Sequence, residues 1–454
     1  RCVSERCTMK RIEPRVLKGF RDFLPENQRR RIDLQQQLEK TFRSYGFVPI
    51  DTPVLEYTEV LLGKGGGDTD KQIYRFQDNG GRDVSMRFDL TVPFARYMAA
   101  HRSELYLPFR RYHIDKVWRG ENTQRGRYRE FAQCDFDIVG PDSGEADLEI
   151  LLLMRDALAS IGIEGISIRV AHRGLFNRFL SRLGVEDKSV EILRLVDKIH
   201  KIGREELSTQ LTELVDSEKA SAIISYISPQ ETGLKEPASS SENFSIIDML
   251  EESAGGQDED SSRLRYLFEQ LEASGNGAAF RIDPSITRGL DYYTGVVFET
   301  FLEDLPSLGS VCSGGRYNDL AGLYTKESLP GVGSSIGLDR LIAGMEELGI
   351  SGSKTAVCEV LILNFSPSLA GAYHHLARTL RNAGISCEIF PEAKKLGAQF
   401  QYAEKKGVPY ALIMGEEEHQ RGTVNLKNIT TRENEDDLTP SDAAERLRRY
   451  LSHP

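Results

Sequence analysis

The sequence predicts an α+β core built on a mainly antiparallel sheet, interrupted by a helical insertion and followed by a separate C-terminal α/β domain. Three observations predict it. Strand-like segments alternate with turns from Arg82 to Val139 and return over 281–346. Between them, residues 173–280 change to helices with charged faces. Beyond a small polar linker at 351–355 (SGSKT), strand and helix patterns alternate. A chain of 454 residues suggests roughly three domains and buries its cores without a disulfide or metal staple. The expected division is 1–13 as an N-terminal extension, 14–172 with 281–350 as the core, 173–280 as the insertion and 356–454 as the last domain.

Each element has its own signal. Met9 is the first methionine, and residues 1–8 read either as a non-native extension or, with less support, as a short transit peptide, since they carry neither an apolar leader segment nor a sustained Arg/Ser-rich amphipathic stretch. Ile32, Leu34, Leu38 and Phe42 recur near helical spacing, which predicts a helix over 27–46 stopped at Gly46. Phe47, Val48 and Ile50 predict a strand broken by Pro49 and Pro53. Residues 63–67 (GKGGG) lack the Walker A spacing and read as a surface loop. Residues 145–161 are apolar on most sides, a buried helix. The stretch 229–263, with SSS at 239–241 and DED at 258–260, reads as exposed and mobile, its acidic part a solvated linker. In the last domain the order is strand (360–364), helix (369–382), strand (385–390), helix (396–406), strands (410–414 and 423–426) and helix (441–451).

Composition narrows the function classes. Hydrophobic residues at 39% and charged residues at 28% fit a globular enzyme rather than a disordered chain. No run of 18 apolar residues occurs, so a helical membrane protein is excluded. Lys and Arg total 58 against 69 Asp and Glu, a net charge of −11, so any polyanion must meet a local basic patch. The cysteines at 2, 7, 134, 312, 358 and 387 form no CxxC pair and no Cys/His ligand spacing, which predicts a reduced, cytoplasmic protein without a structural zinc.

Four segments can carry chemistry. Between Arg110 and Arg129 there are seven Lys/Arg and two Asp/Glu, a local +5 in an acidic chain. Arg119, Arg127 and Arg129 flank a turn-forming GENTQRG, as in a hairpin, and on a strand Arg127, Arg129 and Phe131 would share a face. Guanidinium groups together suit a polyphosphate, and Phe131 could stack on a flat base. A solvated basic hairpin accounts for the composition equally well. In the second segment, Thr287–Glu299, Arg288 beside Gly289 precedes Asp291, Tyr292 and Tyr293; a turn with a buried tyrosine pair is the plain alternative. In the third, SGGRYNDL (313–320) precedes PGVGSSIGLDRL (330–341). Its glycines miss the GxGxxG spacing, so a Rossmann reading is disfavoured. Gly333–Ser335 permits close ligand approach, and Arg340 lies early on a helix; ordinary strand–helix packing is the alternative. In the fourth, RFDLTVPFARY (87–97), Asp89 and Thr91 could share a face and hold an ammonium, although a capped turn before Pro93 explains them alone.

Taken together and in this order, these segments resemble the histidyl-tRNA synthetases, a class II aminoacyl-tRNA synthetase family. RGLDYYTGVVFE (288–299) resembles that family's own signature, WRGENTQRGRYREF (118–131) its motif two and GLDRL (337–341) its motif three. Residues 47–60 resemble the dimer-forming motif one, and the C-terminal unit resembles the anticodon-binding domain. The similarity covers roughly residues 14–430. It implies a cytoplasmic homodimeric ligase that joins histidine to ATP, with Mg²⁺ accompanying the nucleotide, and passes the histidyl group to its tRNA. It implies Arg288 and Arg119 as catalytic residues at the α-phosphate. Glu121 and Phe131 would hold the adenine, and Arg127 and Arg340 the outer phosphates. Asp89, Thr91 and Gln133 would take the amino acid, and Asp137, Tyr293 and Tyr317 its imidazole. Gln124 and Arg125 would meet the tRNA acceptor end, and no residue is expected to form a dedicated metal cage. Asp137 stands where some relatives carry Glu. The physical reading agrees, since neutral imidazole needs one matched acceptor and one matched donor.

Three rivals weigh less. The regulatory subunit of ATP phosphoribosyltransferase resembles the same core but typically lacks the arginine set and the last domain, both present here. A translational-control kinase would need HRD and DFG signatures, which do not occur. A class II enzyme for another amino acid would not carry LDYYTGVVFE.

Overall fold

Alternation along two long strands organises the larger unit. In Glu130–Val139, Cys134, Phe136 and Ile138 are buried against the helices, so Gln133, Asp135 and Asp137 face the other way. In the computed structural model this strand pairs antiparallel with Phe109–Trp118, whose partners include Arg111 opposite Asp137. The structure describes residues 12–63, 72–228, 240–287, 293–318, 320–350 and 358–452.

The sheet has eight strands in the order 48–49, 109–118, 130–139, 331–337, 312–317, 296–302, 166–172, 280–282. Its pairings are antiparallel except at the two edges, where 48–49 and 280–282 pair in parallel with their neighbours. The mainly antiparallel α+β core is therefore as expected. A small antiparallel sheet of 55–57, 83–86 and 75–77 accompanies it.

Helix Pro25–Ser44 begins with proline at its first turn and buries Leu38 and Phe42. It packs on helix Gly144–Ser160, which is capped by Ser143 and buries nine residues, including Ile150, Leu153 and Met154. Helices of the 173–280 segment, among them Arg173–Arg182 and Glu259–Ala273, share this hydrophobic core. The stretch over 240–263 is not a solvated linker. Ser240–Ala254 and Glu259–Ala273 are helices, and Asp258 caps the second in a reciprocal capping box with Ser261. Acidic residues ahead of an apolar run were a helix start, stabilised by its N-terminal dipole. Residues 229–239 lie outside the described set, as do 64–67 of the glycine-rich loop and the 351–355 linker.

The second unit, Gly352–Pro454, carries a five-stranded sheet in the order 387–389, 360–362, 410–413, 424–428, 434–438. The first three strands are parallel and the last two antiparallel. Tyr373, Leu376 and Leu380 of helix Ala370–Asn382 and Leu447 of helix Pro440–Leu451 fill one side. The pattern reading missed strand Asn434–Leu438 and helix Glu416–Arg421. Both are almost wholly polar, an edge strand and a surface turn of helix, so no apolar period marks them.

Candidate active site

The outward faces of strands 130–139 and 331–337 form the floor of a cleft of about 420 Å³. Asp89, Thr91, Gln133, Asp137, Tyr293 and Tyr317 all line it. So do Arg119, Glu121, Arg127, Phe131 and Arg340. Residues scattered over some 250 positions of sequence thus converge on one wall. Gln124 and Arg125 are not on that wall; Arg125 is largely exposed and pairs with Glu347 at 3.0 Å. Arg288 lies outside the described residues, together with 289–292.

At one end the carboxylate of Asp137 is fixed by two neighbours. The Tyr317 hydroxyl donates to its Oδ1 at 2.7 Å, and Arg111 Nη2 lies 2.7 Å from Oδ2. Burial raises the Asp137 carboxyl above the ordinary range, and Arg111 and the Tyr317 bond oppose that rise. Burial likewise pushes the Tyr317 phenol well up, so it donates as a neutral hydroxyl. Asp137 sits opposite Gly333, where a Cβ would overlap its carboxylate. Gly331 makes the same room for the Tyr317 ring. The close approach that this glycine-rich strand permits is therefore made by the protein's own side chains, which a spacing argument could not distinguish from ligand approach.

Asp89 ends a turn before helix Thr91–Ala100 and accepts from Val92 N at 3.1 Å. The capped turn is real, and it places Asp89 and Thr91 in the cleft without the shared strand face that period-2 spacing suggested. Burial pushes the Asp89 carboxyl up to about 6, against the pull of that backbone bond and of Arg119 and Arg111. Asp89 Oδ2 and Gln133 Oε1 are buried acceptors with no protein donor. Such atoms are rare and need a partner, and an ammonium brings three donors.

The other end is cationic and aromatic. The Arg119 guanidinium lies 5.2 Å from the Phe131 ring centroid and is held by Nε donating to Phe88 O at 2.8 Å. Arg340, in helix Leu338–Glu347, donates to Ser310 O at 2.6 Å. Arg127 and Arg129 do not share a face, because the strand begins only at Glu130. Residues 119–129 form the hairpin loop, with Gln124 and Arg127 in a lone bridge. Arg129 turns away, its Nε donating to Glu121 O. A planar base against Phe131 and phosphate oxygens among three arginines fit this end.

Sequence reasoning missed Asp339, Arg111 and Asp135. Asp339 accepts from Ala132 N at 2.8 Å and pairs with Arg21 and Arg31, tying the N-terminal helix to the cleft rim. Arg111 and Asp135 carry the same alternation as Asp137, and that alternation was the available signal. Among the described residues one group could approach a metal: Asp51, His113 and Asp115. Arg87 already pairs with Asp115 at 2.6 Å, and the Arg87 and Arg111 charges that act on His113 would repel a metal cation, which marks an ion-pair network rather than a cation site. Cys134, Cys312, Cys358 and Cys387 are free and buried.

Comparison with known proteins agrees with this geometry. The family model described as "Histidyl-tRNA synthetase" matches residues 19–341, and one described as "Anticodon binding domain" matches 359–450. The chain is 50% identical to a histidine–tRNA ligase of Treponema denticola over 446 residues, covering 96% of this chain and 98% of that protein. It is 47% identical to one from Rhodopirellula baltica, covering 94% and 95%. The crystal structure of histidyl-tRNA synthetase from Nostoc sp. PCC 7120 superposes with a TM-score of 0.83 at 32% identity, covering 97% of this chain and all of that one.

Proposed function

The chain belongs to the histidyl-tRNA synthetase family, and from that premise we propose how its cleft carries out the reaction. The enzyme activates histidine with ATP and charges its tRNA with the product. A histidine carboxylate oxygen attacks the α-phosphorus, pyrophosphate leaves, and histidyl-adenylate forms. A 3′-terminal ribose hydroxyl of the tRNA then attacks the acyl carbon and releases AMP. Positioning and charge stabilisation carry such chemistry, with no nucleophilic side chain required.

In this reading Asp89 and Thr91 take the ammonium with Gln133, while Asp137, Tyr293 and Tyr317 read the imidazole. Asp137 is the acceptor for the ring N–H, and a tyrosine hydroxyl faces the other nitrogen. Arg119 and Arg288 stabilise charge at the α-phosphate. Phe131 stacks the adenine beside Glu121, and Arg127 and Arg340 hold the outer phosphates. The observation that carries this assignment is the convergence on one cleft of buried carboxylates at one end and arginines with an aromatic ring at the other. Glu299, also on the cleft wall, offers a carboxylate of the kind that a Mg²⁺ arriving with ATP takes, and the ion would neutralise phosphate charge. Residues 14–172 and 281–350 form the catalytic part, 173–280 the insertion and 356–454 the anticodon-reading part.

The working state is a homodimer in this proposal. Leu55, Tyr57 and Phe76 of the small sheet are exposed apolar groups, and its strand 55–57 lies within the motif-one segment. The cytoplasm is the proposed compartment, in keeping with four free buried cysteines. Gln124 and Arg125 at the hairpin tip are the proposed contacts to the acceptor end. Charging of a histidine tRNA transcript tests the reading. Its tRNA affinity should fall steeply with salt, by roughly tenfold or more between 50 and 200 mM, because an acidic protein must bind through local phosphate contacts. Salt-independent affinity, or no charging, contradicts it.

A further inference from the structure

Behind the amino-acid end of the cleft, one buried cation faces several buried carboxylates. Arg111 is fully buried, and its guanidinium lies over the Phe94 ring at 4.1 Å. Among the described residues its ion pair is with Asp137, and its Nε and Nη1 make no protein hydrogen bond. The neighbouring buried arginine, Arg87, is differently engaged: it donates to Thr52 O and Lys116 O and pairs with Asp115.

Arg111 stands opposite Asp137 in the strand register, with Asp135 two residues before it on the same face. Asp89 reaches the same region from the turn before helix Thr91–Ala100. Resting on the functional reading above, we propose that Arg111 is a positioning residue for histidine recognition, the shared countercharge that aims Asp137 and keeps it and Asp89 ionised while touching no substrate itself.

The charges around the site fit that role. Burial pushes the Asp89, Asp135 and Asp137 carboxyls up, the first to about 6 and the second to about 7, and Arg111 pulls all three down. Asp137 and Asp89 in turn raise Asp135 by repulsion. His113 and Asp115 share the strand of Arg111, with Arg87 and Asp51 packed near them. His113 is held neutral at pH 7. Tyr317 donates to Asp137 from the strand beyond Gly331, and Arg119 acts on Asp89 from the hairpin loop. Asp137 therefore depends on Arg111 through their ion pair, and Asp89 draws on it as a second countercharge after Arg119.

The test is histidine-dependent ATP–pyrophosphate exchange followed against pH in wild type, Arg111→Leu, Arg111→Lys and Asp135→Asn. Arg111→Leu should raise KM for histidine about tenfold or more, leave kcat and the KM for ATP within about threefold, and move the acid limb of kcat/KM for histidine up by about one unit. Arg111→Lys should restore most of this. Asp135→Asn, a near-isosteric change at a carboxyl that is pushed up to about 7 and so is largely neutral where the limb falls, should leave the limb within about a quarter of a unit. The imidazole of free histidine titrates identically in every case, so differences among variants report the protein. Unchanged histidine KM and acid limb in Arg111→Leu, or a limb moved as far by Asp135→Asn as by Arg111→Leu, overturns the role. Loss of kcat alone in Arg111→Leu also overturns it. Absence of histidine-dependent exchange in the wild type would instead overturn the underlying functional reading.

Discussion

Arg288→Ala is expected to lower adenylate formation by about 10²-fold or more, the loss associated with one preorganised charge stabiliser. The segment that carries Arg288 is anchored at its described N-terminal end. Thr287 Oγ1 donates to Leu193 O at 3.2 Å, and Arg173 Nη1 donates to Thr287 O at 2.9 Å. Six residues after Thr287, Tyr293 is on the cleft wall. A stabiliser that acts on developing charge should lower kcat and kcat/KM together and leave the histidine KM nearly unchanged. Single-turnover adenylate formation by Arg288→Ala, at saturating histidine and ATP, measures this directly. Turnover near the wild-type rate would remove Arg288 from its proposed role.

Asp137→Ala is expected to cost about 10²-fold or more in kcat/KM for histidine, chiefly through KM. Two physical terms contribute. The imidazole N–H loses its charged acceptor, and a site built on such bonds discriminates strongly when one is missing. Arg111 is also left as a buried charge without its ion pair, a change that costs about 3–5 kcal/mol in comparable buried pairs. The second term predicts a measurable fall in thermal stability along with the kinetic loss. Titration of histidine into the folded variant separates the two, since a stability loss alone would leave affinity in the surviving folded fraction unchanged.

Much of the fold was legible because its core elements carry strong periods. Helix Gly144–Ser160 reads directly from its apolar residues, and the strands at 109–118, 130–139 and 331–337 fall in the stretches where strands and turns are expected to alternate. Elements without an apolar face, such as Asn434–Leu438 and Glu416–Arg421, did not. At the site, Asp137 and Tyr317 came from family resemblance, while their mutual bond and the glycines that make room for them required coordinates. Arg111 and Asp135 escaped notice because a charged residue in a strand reads as solvent-facing. Only the sheet shows that this face is buried beneath the cleft rather than open to water. The separation of Arg127 from Arg129 has a similar origin: period-2 reasoning was applied from Arg127, three residues before the strand starts.

The central claim is that one cleft adenylates histidine and selects it by its imidazole. ATP–pyrophosphate exchange with histidine, set against a panel of other amino acids under identical conditions, tests that claim most directly. The account predicts exchange with histidine and background rates with the others. Exchange with a different amino acid, or none from well-folded protein, would contradict it.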